Sequence, residues 1–561
     1  MMIDTKILKI DPSYIDDNKI AEAAGFLKNN HLVAFPTETV YGIGANIFHE
    51  SAIKAIFTAK GRPQDNPLII HIYDISQLEI LVDHITSSAQ TLIDRFWPGP
   101  LTIIFKKHRN IPLYVTSGLE TIAVRMPSHP IATELLRAAG IPIAAPSANL
   151  SGKPSPTMAE HVIKDLTGKV DIILDGGNTT IGLESTVVDT TCGYPTILRP
   201  GGITREAIKD LFGGSRISLN FYAESNKKDS IHGESSLNSA FQDDKADANE
   251  KKHPKAPKSP GVKYTHYAPE ARMILFKGQQ LKTAHWLNKV LENIASARNN
   301  LNRSPDIGII ASDELLALIQ PHKNAISLGT IHNPELAAEK LFRAFRELDQ
   351  RKVSMIFTEY YPANGLGLAL QDRMSKAASG HIMDIERISS VLFVCTGNTC
   401  RSSMAEAFFN TDAATVFTSN RMAEDFSPVI KEYPVPHASS AGVAAFPGDP
   451  ASAESILVLK EDWDIDLSAH RSRTLSPYLL EASDLIFTMT ARHRNAILSH
   501  FPDLFYKVFV LQDFVRTANT ASSADSDIID PFGGNLRVYR VCANEIRQAV
   551  HTLLLLLKNS S

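Results

Sequence analysis

The stretch AESNKKDSIHGESSLNSAFQDDKADANEKKHPKAPK, from Ala223 to Lys258, interrupts a chain that otherwise alternates apolar and polar runs. It carries too few apolar side chains to offset the entropy of ordering its backbone. Separate folding units joined by a flexible linker are therefore expected. The length of 561 residues points the same way, because single cores stop growing at about 250–300 residues.

Before the linker, short β-branched runs (HLVAF, PLIIHI, LTIIF, IPIAA, VDIIL, STVVD) alternate with helical spacings such as SAIKAIFTAK and PIATELLRAAG, the pattern of an α/β domain. After it, SPGVKYTHYAPE restores a specific local chemistry, and ARMILF, IGIIA and VSMIFTEY alternate with the amphipathic PELAAEKLFRAFRELDQ. The expected organisation is α/β multidomain: residues 1–220, a linker over 221–270, a Rossmann-like unit over 271–385 and a third domain over 389–561.

Composition narrows the function classes. A formal net charge of −4 gives no basic field that announces nucleic acid. The start, MMIDTKILKIDPSYIDD, has no basic segment followed by an apolar core, and Leu553 to Leu557 is far shorter than the ~20 residues a bilayer requires. Four cysteines are too few for a disulfide framework. A cytoplasmic protein without a membrane partner is expected.

One stretch carries explicit chemistry. In VLFVCTGNTCRSSMAEAFF, from Val391 to Phe409, an apolar strand ends in a tight turn and then a helix begins. Amides of such a loop and of the helix start converge on an anion, and Arg401 adds a planar fork for phosphate oxygens. Cys395, facing those donors, has its thiolate stabilised, which is the attacking form. A buried structural cysteine followed by a solvated arginine is the competing reading of the same spacing. Far downstream, DSDIIDPFGGNLRVYR places Asp530 in a turn before an amphipathic helix, where a carboxyl group can protonate a leaving group.

Together with SAGVAAFPGDPAS, IDLSAHRSR and DLIFTMTARHR, these segments resemble the low-molecular-weight protein tyrosine phosphatase family, over about Ser389 to Lys558. The resemblance implies a parallel-sheet α/β domain with Cys395 as nucleophile and Arg401 as phosphate clamp. It also implies Asp530 as general acid and then base, Ser402 as support for the thiolate, and Asn398 as the residue that holds the loop. Ser403 departs from the proline usual there. CTGNTCR followed by DPFGG looks like the protein arginine phosphatase branch, with the hydroxyl of Thr399 favouring phosphoguanidinium over a phenyl phosphate. Cys400 is either loop packing or a disulfide partner for oxidised Cys395.

The first half holds a second constellation. PTETVYGIGA and AKGRPQDNPLIIHI place Lys60 and Arg62 in a turn before a strand that ends at His71, and FWPGPLT, RMPSHP, APSANLSGKPSPT, LESTVVD and LRPGG follow. Singly, each has an ordinary alternative: a solvated cation pair, a strand-end histidine, turn residues at Ser147 and Asn149, or half-buried stems at Arg125 and Arg199. No Walker-type or dinucleotide glycine motif is present.

Taken together, PTETVYG, KGRP, APSAN, FWPGPLT and LRPGG resemble the threonylcarbamoyl-AMP synthase family. The likeness continues through SPGVKYTHYAP to GLGLALQDRMSKAA, as in its long two-domain form. The resemblance implies a YrdC-type twisted mixed sheet with helices and the joining of L-threonine, bicarbonate and ATP into threonylcarbamoyl-adenylate, for modification of tRNA by a downstream transferase. Magnesium would accompany the ATP phosphates, with no tightly bound metal. Thr39, His71, Arg125 and Ser185 would hold threonine, and Lys60, Arg62, Asn66, Thr121, Ser147, Asn149, Ser155 and Arg199 the nucleotide. A lid over 259–269 would bring Tyr264 or Tyr267 to the nucleotide. The competing class is a nucleotide- or RNA-binding regulatory protein with a phosphoprotein-recognition module and no synthase chemistry. The expected protein is thus a bifunctional enzyme, with a phosphoprotein as the second substrate.

Overall fold

The computed structural model describes residues 3–213, 218–219, 267–297, 305–418, 435–516 and 526–558. Tyr264 and all but the last residues of the expected linker lie outside them. Two compact units form: Met1–Met273 with Ile326–Lys352 and Tyr361–Gly380, and Ile274–Ala325 with Val353–Tyr360 and His381–Ser561. The stretch 271–385 thus contributes to both.

The first unit is built on an eleven-stranded mixed sheet. Strand Val33–Phe35 pairs parallel with Ile172–Asp175 and antiparallel with Gly42–Asn46. Ile69–His71 runs parallel to Thr121–Arg125 and antiparallel to Ile143–Ala144, and Leu101–Lys106 lies antiparallel to Thr121–Arg125. Alternate residues point to opposite faces. Val33, Phe35, Ile172 and Leu174 join one core while Ala34 and Ile173 join another. Gly42–Asn46, GIGAN, has little β-propensity, yet it is a buried strand. Packing is the reason: a Cβ on Gly44 would come within 2.9 Å of both Ile143 and Phe35.

Helix Glu50–Lys60 ends where Gly61 takes a left-handed φ of 61°, and Pro130–Ala139 opens on proline and stops at Gly140, the asymmetry that favours those residues. Helices Pro334–Gln350 and Gly367–Ala377 lie within the first unit.

The second unit contains a four-stranded sheet in the order His437–Gly442, Ser390–Cys395, Leu485–Thr488, Val508–Val510, parallel throughout. A strand covered on both faces reads as a continuous apolar run, which explains VLFV. Parallel strands also bring Cys395, Gly442 and Thr488 to one sheet edge. A five-stranded sheet has the order Ala325–Ser327, Ile307–Ala311, Met355–Glu359, Arg272–Lys277, Ile382–Asp384. No helix of the described residues is long and apolar enough to cross a membrane.

Phe393 is fully buried in the central strand, its ring centroid 5.9 Å from that of Phe409 and 6.1 Å from that of Phe487. Phe393→Ala is expected to destabilise the second unit by about 3–5 kcal/mol, seen as a lower calorimetric transition. An unshifted transition would show that this strand is not the core.

Candidate active sites

In the first unit, one pocket gathers most of the residues expected to bind threonine and nucleotide. Thr39, His71, Arg125, Ser185, Lys60, Arg62, Ser147, Asn149, Arg199 and Tyr267 all line it. Asn66, Thr121 and Ser155 do not. Ser155 lies one contact away, donating to Glu184 Oε1 at 2.5 Å. Thr121 opens the strand that ends in Arg125, and the carbonyl of Asn66 accepts from Arg62 at 3.4 Å.

Lys60 closes a helix and does not sit in the expected turn, because the 3.6-residue pattern runs through it until Gly61 breaks it. Its Nζ donates to the carbonyls of Ser147 and, at 2.6 Å, Asn149. Burial, reinforced by Arg62, pushes its pKa well below the usual lysine value. Arg62, also desolvated, is lowered to about 10. Arg199 donates to the carbonyl of Ser185 at 2.9 Å and to its hydroxyl at 3.2 Å, while Thr102 shares a hydroxyl hydrogen bond with Ser185 at 2.7 Å. Buried His71 sits with Nδ1 3.2 Å from the Ile69 carbonyl. Burial, then the charge of Arg125, lowers it to about 3, so its ring is neutral at pH 7.

Two carboxylates absent from the expected site balance these cations. Glu38 pairs with Arg125 at 2.6 Å while Arg125 also donates to Thr39 at 2.8 Å. Glu184 pairs with Arg373 at 2.7 Å, and Arg373, with no exposed side-chain surface, donates to the Pro200 carbonyl at 3.0 Å. Burial pushes the Glu184 carboxyl up, but Arg373 and Arg199 outweigh it and hold it below the usual range. The Arg373 guanidinium lies 5.2 Å from the centroid of the Tyr267 ring, which stacks on Phe342 with centroids 5.5 Å apart. Glu38 and Glu184 stand inside PTETVYG and LESTVVD; charge alternating with hydroxyls in those runs was the available signal. Nothing local ties Arg373 to them.

In the second unit, Cys395 ends strand Ser390–Cys395, and helix Arg401–Thr418 follows its loop. The Asn398 amide points at Cys395 Sγ from 3.2 Å, and Ser402 Oγ lies 3.0 Å from the same sulfur. Asn398 holds a left-handed φ of 59°, and its Nδ2 donates to Ser402 and Ser440 at 3.0 and 2.8 Å. Its Oδ1 accepts from the Arg473 amide at 2.9 Å, and His470 Nε2 lies 2.7 Å from its carbonyl oxygen. The loop also needs Gly442, where a Cβ would stand 2.5 Å from the Thr396 oxygen. Arg401 pairs with Asp530 at 2.6 Å and donates to the Ile528 carbonyl at 3.2 Å. Ser403, in place of proline, donates to the Cys400 carbonyl at 2.8 Å. Cys400 Sγ lies 3.4 Å from Ser452 Oγ and 3.5 Å from Tyr539 Oη, and the Thr399 carbonyl accepts from the Ser452 amide at 2.9 Å. Ser440, His470 and His493 are further contributors that spacing did not single out.

A pocket lined by Lys60, Arg62, Arg125 and Arg199 on one α/β unit and a cysteine loop on another define a two-site α/β enzyme. Residues 25–201 match the family model described as telomere recombination, and residues 203–379 match the threonylcarbamoyl-AMP synthase C-terminal domain. Residues 390–561 match the low molecular weight phosphotyrosine protein phosphatase model. The threonylcarbamoyl-AMP synthase of Bacillus subtilis (strain 168) is 44% identical over 369 residues, spanning 66% of this chain and 95% of that protein. The crystal structure of P. abyssi Sua5 complexed with L-threonine is 41% identical, with a TM-score of 0.58, covering 67% of this chain and 99% of that one. An arginine phosphatase from Geobacillus stearothermophilus is 34% identical, with a TM-score of 0.25, covering 30% of this chain and 94% of that one. The chain belongs to the threonylcarbamoyl-AMP synthase family and carries a low-molecular-weight phosphatase domain as its last third.

Arg373→Met leaves Glu184 uncompensated and is expected to cost about 3–5 kcal/mol, read as a lowered thermal transition of the first unit; a transition within 1 °C of wild type would refute the pairing. His71 and His161 are both held near about 3 in the native state by burial first. The unfolded chain therefore binds more protons below pH 6.5, and stability falls as pH drops from there toward 3, by up to about 1.4 kcal/mol per pH unit for each. Chemical denaturation at pH 7, 6 and 5 should show a shallower decline in His71→Asn; identical slopes would contradict it.

Proposed function

We propose that the first unit joins L-threonine, bicarbonate and ATP into L-threonylcarbamoyladenylate, and that the phosphatase domain hydrolyses a phosphoprotein through Cys395. The observation that carries the first reading is the convergence of Lys60, Arg62, Arg125 and Arg199 on one pocket. Cations placed in a dry cleft neutralise phosphate charge without reorganising, and catalysis there is positioning with charge stabilisation.

In this reading Lys60, Arg62 and Arg199 take the ATP phosphates, with Ser147 and Asn149 orienting the nucleotide. Arg125 turns from Glu38 toward the threonine carboxylate, beside Thr39, His71 and Ser185. Asn66, Thr121 and Ser155 support these groups from outside the pocket. Tyr267 covers the nucleotide; Tyr264, the other candidate, lies outside the described residues. Magnesium enters as a companion of the ATP phosphates. Glu184, the carboxylate that lines the pocket, is held by Arg373. The adenylate would pass to a downstream transferase, making contact with tRNA indirect, in the cytoplasm.

For the second reading, Cys395 Sγ attacks phosphorus while Asp530 gives its proton to the departing atom. Water, deprotonated by Asp530, then cleaves the cysteinyl-phosphate and releases inorganic phosphate. Arg401 clamps the phosphoryl oxygens, Ser402 and Asn398 steady the sulfur, and Thr399 favours phosphoarginine over phosphotyrosine. Cys400 packs against Ser452 and Tyr539.

Arg125→Met is expected to lower threonine-dependent pyrophosphate release from ATP by tenfold or more, about the worth of a charged hydrogen bond, chiefly through KM for threonine. Cys395→Ser should abolish phosphate release and leave the first activity unchanged. Undiminished activity in either variant would sink the corresponding half. Phosphoarginine peptide should outpace phosphotyrosine peptide, with the preference narrowed in Thr399→Ile; an unaltered ratio would refute the role of Thr399.

A further inference from the structure

Helix Gln280–Ala297 lies in the stretch matched by the synthase C-terminal model, yet within the second unit its buried face packs against the phosphatase domain. Trp286 meets Phe509 and Phe514, with ring centroids 6.3 and 4.9 Å apart. Polar contacts continue the interface. Asn293 Nδ2 donates to the carbonyls of Phe505 and Val508 at 3.1 and 2.8 Å. Arg494 Nη1 donates to Asn293 Oδ1 at 3.1 Å and to Ser296 Oγ at 2.7 Å. Arg494 is 2% exposed, and a buried guanidinium is held firmly only when it finds acceptors.

The residue before Arg494 reaches the catalytic loop. His493 Nε2 lies 2.9 Å from the hydroxyl of Thr396, next to Cys395, and its Nδ1 lies 2.8 Å from the hydroxyl of Thr490. Burial and then Arg401 lower its pKa to about 4. The neutral imidazole has one N–H donor and one acceptor nitrogen, so the two hydroxyls fix its orientation. The same helix, Ala491–His500, starts with the Ala491 amide donating to Asp527 Oδ1 at 2.6 Å, shortly before Asp530. One helix therefore touches the nucleophile loop, the segment leading to the acid, and a helix outside the phosphatase family match.

We propose that Asn293 and Ser296 are positioning residues for the phosphatase site, acting through Arg494 and helix Ala491–His500 on Thr396. Neighbouring helical residues project about 100° apart, so holding Arg494 fixes the rotation that aims His493 at the loop. The assignment rests on the phosphatase reading given above. It makes the last third of the chain dependent on a helix supplied by the preceding domain.

Spatial intermediacy alone does not establish coupling, and a double-mutant cycle measures it. In the full chain, kcat and KM for para-nitrophenyl phosphate are compared among wild type, Asn293→Ala, Ser296→Ala, Ser296→Thr, His493→Ala and the Ser296→Ala/His493→Ala pair. Ser296 is the variant of choice because the residue is exposed and its hydroxyl can be removed without opening the core. Expected are a fall in kcat of about threefold or more in Ser296→Ala, within the range such couplings span, KM within about twofold, and restoration by Ser296→Thr. The pair should lose no more than His493→Ala alone. Wild-type kcat in both Ser296→Ala and Asn293→Ala, or fully additive losses in the pair, overturns the positioning role while Cys395-dependent hydrolysis persists. Hydrolysis that does not depend on Cys395 overturns the phosphatase reading itself, and the positioning role with it.

Discussion

Buried guanidinium–carboxylate pairing is the constraint on which the synthase unit depends. Arg125 with Glu38, Arg373 with Glu184 and Arg346 with Asp165 are each almost wholly removed from solvent. Each cation held in a dry interior costs several kcal/mol unless it is paired. The pairs resolve this by keeping positive charge in place, compensated from behind. Glu184 is central, because it joins Ser155, Arg373 and the charge of Arg199 in one network.

The second unit solves a related problem with backbone. Asn398 in a left-handed conformation turns its amide toward Cys395, and hydrogen bonds to Ser402 and Ser440 and from the Arg473 amide, with His470 at its carbonyl oxygen, hold it there. Such a network is worth having only when every member is satisfied. Gly442 belongs to it by having no side chain, since any Cβ would strike the Thr396 oxygen. The interface of helix Gln280–Ala297 extends the same logic outward, with Arg494 satisfied by acceptors from a different stretch of sequence.

Much of this was legible beforehand where local chemistry decides it. HLVAF, PLIIHI, LTIIF and VLFV became the strands their alternation or continuous apolarity indicated, and PELAAEKLFRAFRELDQ became helix Pro334–Gln350. Lys60, Arg62, Arg125, Arg199 and Ser185, singled out from the family resemblance, line one pocket. GIGAN was not legible, because its strand exists through close approach to Phe35 and Ile143 and not through propensity. Nor were Arg373, Arg346 and Asn293, since partners separated by hundreds of residues leave no trace in spacing. Lys60 was misplaced by one structural element: helix periodicity reached further than the glycine after it suggested.

An ATP phosphate site built from the buried cations of the first unit must feel both salt and the loss of one charge. Calorimetric titration of ATP into the full chain and into Arg62→Met, at low and high salt, tests it directly. Saturable binding that weakens with salt and falls tenfold or more in the variant is the predicted result. Equal affinity in both proteins, insensitive to salt, would contradict it.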